Sequence, residues 1–187
     1  MSSPIIDSEF ASLEDAVQGL EFPDAIRETL ELITVTYRSF DMRLHQGQLV
    51  LHRDLADDVR DVFKSLLEIG FLVYRAEPIV AYGWDDEASM AANNSSAFNY
   101  RFVMGTNRLS NHAYGRALDL NPVQNPYFPE GDTFEGCPVY PAGAKRNLTA
   151  PGTVTAEVAK LFKEKGWEWG GDCWNETRDY QHFHKLS

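Results

Sequence analysis

The chain has 187 residues, 17 Lys+Arg against 28 Asp+Glu, a formal charge of −11 at pH 7 and 43% hydrophobic residues. That is one domain's worth of ordinary globular composition, which excludes wholesale disorder, collagen and coiled coil. No basic run offsets the acidity, so neither nucleic acid nor an anionic lipid surface is an expected partner.

No window approaches the roughly 20 apolar residues of a membrane span. The first twenty residues lack the basic-then-apolar pattern of a secretory leader. Localisation and oligomeric state stay open, and the two cysteines, Cys137 and Cys173, fit either free thiols or one disulfide.

In chain order, Phe10, Leu13 and Val17 predict a short amphipathic helix over 8–20. Ile33, Val35 and Tyr37 alternate with threonines as a strand, and a second strand runs over Gln48–His52 after Gly47. Asp54 is the expected N-cap of a helix whose apolar stripe is Leu55, Val59, Val62, Phe63 and Leu66, with Gly70 as its stop. Asp57, Asp58 and Asp61 fall off that stripe and read as a solvated face. Phe71–Val80 reads as a buried strand, and Thr155–Lys165 as a second helix ended by Gly166. Two long irregular stretches, Trp84–Thr106 and Asn121–Gly152, are expected to form walls of a site.

Chemistry concentrates in two motifs. In Ser110-Asn-His112-Ala-Tyr-Gly115-Arg-Ala117-Leu-Asp119-Leu-Asn121 a short strand alternates, with Leu118 and Leu120 toward the core and Asp119 on the other face. Gly115 permits a turn that swings His112 over that same face. Near the C-terminus stand Trp167-Glu-Trp169-Gly170-Gly171-Asp172-Cys173-Trp174 and Asp179-Tyr-Gln-His182-Phe183-His184. With Phe183 inward, His182 and His184 share the opposite face. Two imidazoles and a carboxylate form a ligand set suited to catalytic zinc, and either histidine can complete it. His45 and His52 look like ordinary hairpin residues.

These residues resemble the M15 family of zinc peptidases, the D-Ala-D-Ala carboxypeptidases, dipeptidases and L-alanyl-D-glutamate endopeptidases of peptidoglycan stem peptides. The family pattern Ser-x-His-x-x-Gly-x-Ala-x-Asp is matched by Ser110, His112, Gly115, Ala117 and Asp119. Its C-terminal part is matched by Trp169, Gly170, Gly171, Trp174, Asp179, His182 and Phe183. The stretch Asn93–Arg101 is similar to the segment that precedes the first motif in one branch. The resemblance runs from about Phe71 to the end.

It implies an α+β fold of the hedgehog/D-Ala-D-Ala peptidase type, a small antiparallel sheet with helices packed on one side. Residues 71–187 would be the peptidase core, and 1–70 N-terminal helices and a hairpin of the same single domain. It implies Zn²⁺ held by His112, Asp119 and His182, with Asp179 as general base and Arg101 stabilising the oxyanion or holding a substrate carboxylate. Ser110, Arg108 and Trp169 are the expected substrate-binding residues, for a stem peptide or another D-amino-acid-containing peptide. A substrate ending in a free carboxylate could be held bidentately by Arg101 or Arg108. Two residues, Asp172 and Cys173, separate Gly-Gly from Trp174 where many members have one. Position 184, often acidic in the family, is histidine. The alternative is a zinc-containing binding module of the same fold without turnover, against which the presence of Asp179 argues.

Overall fold

The computed structural model describes residues 3–132, 136–172 and 177–186. The chain enters through a two-residue strand, β1 (Ile5–Ile6), and two single-turn helices, α1 (Leu13–Ala16) and α2 (Asp24–Arg27). The helix expected over 8–20 is therefore reduced to α1. Its upstream residues stay extended because the hairpin takes their polar groups: Ser8 Oγ and Phe10 N both donate to the buried Gln48 Oε1, at 2.9 and 2.6 Å.

Strands β2 (Leu30–Arg38) and β3 (Leu44–His52) form a nine-rung antiparallel hairpin, from Leu30↔His52 to Arg38↔Leu44. β1 joins it in parallel through Ile5↔His45. Helix α3 (Ala56–Glu68) follows a 3-10 turn over Arg53–Leu55, and that turn overturns the expected cap. It shifts the start upstream, so His52 Nδ1 accepts the Asp54 N–H at 3.2 Å and the Asp54 carboxylate is left to meet Arg116 at 3.3 Å. The predicted stripe holds: Leu55, Val59, Val62, Phe63 and Leu66 are buried, and Gly70 ends the helix at φ 75°. On the outer face Asp57 pairs with Arg60, Asp61 with Lys165 and Asp58 with Lys185.

The stretch Phe71–Val80 is buried at Phe71, Val73, Ala76 and Ile79, but it is not one strand. Only β4 (Arg75–Ala76) is regular, followed by a 3-10 turn over Ile79–Tyr82. Val73 N still donates to Arg38 O of β2 at 3.0 Å, but the donors of Tyr74, Ala76 and Glu77 go to side chains. Tyr74 N donates to Asn121 Oδ1 at 2.8 Å, Ala76 N to the Tyr37 hydroxyl at 3.0 Å and Glu77 N to Asn94 Oδ1 at 2.9 Å. Pro78 then brings no donor at all.

The first irregular stretch contains α4 (Asp86–Ala91), capped by Asp85, and β5 (Asn94–Ser95), parallel to β4. After it come β6 (Ala117–Asp119) and β7 (Tyr127–Phe128). Two fully buried asparagines fasten the second irregular stretch. Asn121 Nδ2 donates to Leu72 O and Gly152 O, and Asn125 Oδ1 accepts Val154 N at 2.7 Å. Helix α5 (Ala156–Lys163) is capped by Thr155, and Gly166 lies beyond its end at φ 82°.

The C-terminal strands are β8 (Glu168–Trp169), β9 (Arg178–Asp179) and β10 (His182–His184). They build an antiparallel sheet in the order β6-β10-β8, while β9 pairs with β7. Phe183 in its centre stacks on Phe162 of α5 with ring centroids 3.8 Å apart. One hydrophobic cluster joins the inner face of the hairpin, α3, α5, Leu118, Leu120, Trp169 and Phe183. The fold is α+β as expected, with the Asp119–His182 sheet antiparallel and α5 behind it. The described residues form two three-stranded and two two-stranded sheets, and both three-stranded sheets pack on that core. No helix among the described residues is long and apolar enough to cross a membrane.

Candidate metal centre

The site starts from a 3-10 turn over Asn111–Tyr114, capped by Ser110 Oγ, which accepts His112 N–H at 3.3 Å. Gly115 ends it at φ 65°, ψ 20°. A Cβ there would lie 2.6 Å from His52 N and 2.9 Å from Leu51 C, so glycine alone lets the turn pack on β3. His112 is thereby folded over β6 and buried, and its Nδ1 donates to Ala97 O at 2.5 Å. That bond sets the tautomer and leaves the Nε2 lone pair facing the site.

Strands β6 and β10 supply the rest. Leu118 and Phe183 face the core, so their neighbours Asp119 and His182, opposite each other across the ladder, share the other face. His182 Nδ1 lies 3.1 Å from Asp119 Oδ1 and 3.1 Å from His112 Nε2, and His112 Nε2 lies 3.3 Å from Asp119 Oδ2. Donors about 2.0–2.1 Å from a tetrahedral ion stand about 3.3 Å apart, so the triangle has the size of one face of such a site. Burial pushes the Asp119 carboxyl up, but the charges and hydrogen bonds of His112 and His182 outweigh it and hold Asp119 well below the usual carboxylate range. Among the described residues this is the one group of three His, Cys, Asp or Glu whose ligand atoms converge within 4.8 Å. His184, the rival for the third place, lies outside it. Its Nε2 is 3.9 Å from Glu168, and burial, then the charges of His182, His112 and Arg108, push it down to about 4.

The triangle forms the floor of a cleft of about 500 Å³. Both irregular stretches line it as expected, the first through Asp86, Arg101 and Met104, the second through Tyr127 and Tyr140. Asp179 is brought in by β9, where it pairs with Tyr127 of β7. Gly170 makes room for it: a Cβ at 170 would lie 2.5 Å from Asp179 O and 2.9 Å from Asp179 Cβ. Asp179 Oδ1 is sealed from solvent without a hydrogen-bond partner among the described residues. Burial pushes this carboxyl up to about 7 while the charges of His182 and Arg101 pull against it. An acid titrating near neutrality is what proton transfer at pH 7 needs.

Arg101 reaches the cleft paired with Asp86 at 2.9 Å, and Arg108 lies on the exposed rim. Ser110 also lines the cleft, with its hydroxyl engaged in the cap. Trp169 does not line it: the indole is buried against Phe183 and its Nε1 donates to Tyr180 O at 2.9 Å. Trp169 is instead the support on which Gly171 packs, since a Cβ at 171 would meet its ring at 2.3 Å. Cys173 and Trp174 lie outside the described residues. Sequence reasoning missed Asp86, Tyr127, Tyr140 and Glu168. The Asp85–Asp86–Glu87 run, a capped helix start, was a usable signal for the first. The tyrosines lie in a proline-rich stretch without periodicity.

The family model described as D-alanyl-D-alanine carboxypeptidase, of the M15 peptidases, matches residues 104–185. No curated protein and no solved structure matches the chain. The matched segment contains His112, Asp119, Asp179 and His182, whereas Arg101 stands just before it. Over residues 104–185 the chain is therefore similar to the M15 peptidases.

Proposed function

We propose that the chain is a zinc peptidase hydrolysing peptide bonds in peptidoglycan stem peptides, as a D,D-carboxypeptidase or L,D-endopeptidase. The observation that carries this reading is the buried His112–Asp119–His182 triangle sharing one cleft with a sealed, near-neutral carboxyl at Asp179. The donor set, two imidazoles and one carboxylate, suits Zn²⁺ and leaves room for a further ligand. When bound, the ion supplies Lewis acidity and lowers the pKa of a coordinated water to about 7.

The chain's own residues do the remaining work. Asp179 accepts a proton from the attacking water and returns it to the departing amine nitrogen as the C–N bond breaks, leaving a carboxylate and a free amine. Arg101, oriented by Asp86, faces the charge that develops on the carbonyl oxygen. Burial of the ligand set beneath Tyr127, Tyr140 and the Arg101 segment strengthens these charge interactions by keeping bulk water from them.

The β6-β10-β8 sheet backed by α5 supports a hedgehog/D-Ala-D-Ala peptidase-like core, and the shared hydrophobic cluster supports reading 1–70 and 71–187 as one domain. The test is metal content by emission spectroscopy on untagged protein, followed by mass spectrometry of stem-peptide analogues of defined length. One zinc per chain with metal-dependent loss of D-Ala, or an internal cut, is the expected result. Stoichiometric zinc without turnover on any of them would leave the binding-module alternative instead.

A further inference from the structure

A second hydrophobic cluster lies apart from the core beneath the ligand triangle. Phe98 and Val50 meet Ala16, Val17 and Leu30 there, with Phe22, Trp84 and Tyr100 packed against them. The N-terminal segment thereby grips both sides of the Arg101 ion pair. On the arginine side the chain alternates over 98–101: Phe98 and Tyr100 turn to this cluster, while Asn99 and Arg101 turn to Asp86. The Phe22 ring lies 4.9 Å from Phe98 and 5.9 Å from Tyr100, centroid to centroid, and the Arg27 guanidinium covers it at 4.3 Å.

On the carboxylate side, Trp84 immediately precedes Asp85, the cap of α4, and Asp86, its first residue. The Trp84 backbone is held at φ 67°, a region that bulky side chains rarely adopt. Two contacts hold it there: Nε1 donates to Gln18 O at 3.0 Å, and the indole stands edge-on to Phe98 with centroids 6.2 Å apart. Asp86 then accepts Asn99 Nδ2 on one oxygen at 3.1 Å and meets Arg101 with the other at 2.9 Å. The ligand triangle is held differently. Ala97 O and Phe98 N, the part of this segment nearest to it, are tied to His112 Nδ1 and Val50 O, and the rest of its support is the main core.

We propose that the N-terminal segment is a strap that sets the Asp86–Arg101 pair over the ligand triangle, with Phe22 as its positioning residue. The inference rests on the peptidase reading, in which Arg101 faces the reacting carbonyl, and adds to it residues outside the matched 104–185. Loosening the strap lets Arg101 drift while the metal ligands stay in place.

The test uses the full chain well below each variant's Tm, with two readouts. One needs no turnover: NMR hydrogen exchange of the Arg101 Nε–H in metal-free protein, an atom sealed from solvent. The other is kcat and zinc content of zinc-loaded protein, with the stem-peptide analogue found to be cleaved. Phe22→Ala is expected to speed the Arg101 exchange about tenfold or more and to lower kcat by a similar factor, since misplacing a reacting group by about 1 Å can cost roughly 100-fold. One zinc per chain should be retained and the backbone amides of β6 and β10 should exchange as in wild type, which marks the loosening as local. Phe22→Tyr, which keeps the ring, should restore both readouts. On an Arg101→Ala background Phe22→Ala should cost no further turnover, because both changes act through one group. Trp84→Phe keeps a ring on Phe98 and deletes only the bond to Gln18 O, and it repeats the comparison if Phe22→Ala does not fold. Unchanged Arg101 exchange or unchanged kcat in Phe22→Ala, or an equal loss of turnover with and without Arg101, overturns the proposal and leaves the strap a stabilising element only. If wild type cleaves no analogue, the peptidase reading fails, while the exchange readout still decides whether the strap holds Arg101.

Discussion

His182 sits directly opposite Asp119 across the β6–β10 ladder, with its Nδ1 3.1 Å from Asp119 Oδ1. Two residues 63 positions apart are held in register by Phe183 and Leu118, which pair beside them and point the other way into the core. The ligand triangle is thus a by-product of strand alternation, and its geometry is only as rigid as the packing beneath it.

The first prediction follows from which histidine belongs to the triangle. His112→Ala, Asp119→Ala and His182→Ala should each lower zinc affinity by more than the roughly 10- to 100-fold carried by outer hydrogen-bond partners of ligands. His184→Ala should keep the metal. Competition titration with a chromophoric chelator measures this. Zinc loss in His184→Ala with retention in His182→Ala would reverse the assignment.

For Asp179, Asp179→Asn keeps the size but accepts no proton. It should retain zinc and lose at least about 100-fold in turnover. A second readout comes from stability of the metal-free protein. The carboxyl rises from 3.8 to about 7 on folding, so between those values the native state holds a proton that the unfolded chain has released. Stability from this group is full below about pH 4 and is lost as pH rises through 7. Asp179→Asn should remove that loss, so its Tm relative to wild type should be higher at pH 7.5 than at pH 4.

Gly170 offers a way to move the base without touching a ligand. In Gly170→Ala the new methyl would fall 2.5 Å from Asp179 O and 2.9 Å from Asp179 Cβ, both parts of the β9 segment. The expected outcome is near-stoichiometric zinc with turnover reduced tenfold or more, since misplacement of a reacting group by about 1 Å can cost roughly 100-fold. Retained turnover would show that β9 can shift without consequence.

Phe162 tests the support under the site. It is fully buried and stacked on Phe183 at 3.8 Å. Phe162→Ala should cost about 3–5 kcal/mol in urea unfolding of the metal-free protein. Zinc should partly restore stability by mass action.

Much was legible in the chain wherever one element's own periodicity decides the outcome. The α3 stripe ending at Gly70, the α5 helix stopped before Gly166, and the inward Leu118 and Phe183 follow from repeats of 3.6 and 2 residues and from backbone positions that favour glycine. Asp119 and the two nearby histidines were marked as one face by the same alternation. What tertiary structure decided is where backbone donors and charges find partners far along the chain. Tyr37, Asn94 and Asn121 take the amides of Ala76, Glu77 and Tyr74, so a buried apolar run is tied by side chains and keeps only a two-residue strand. Gln48 holds residues 8–10 extended and leaves α1 a single turn. Asp86 claims Arg101, and Trp169 turns from the cleft to the core because its indole finds Tyr180 O there. Hydrophobic alternation is written locally, residue by residue. The satisfaction of a buried amide or guanidinium depends on a partner tens of residues away, and only the folded chain brings the two together.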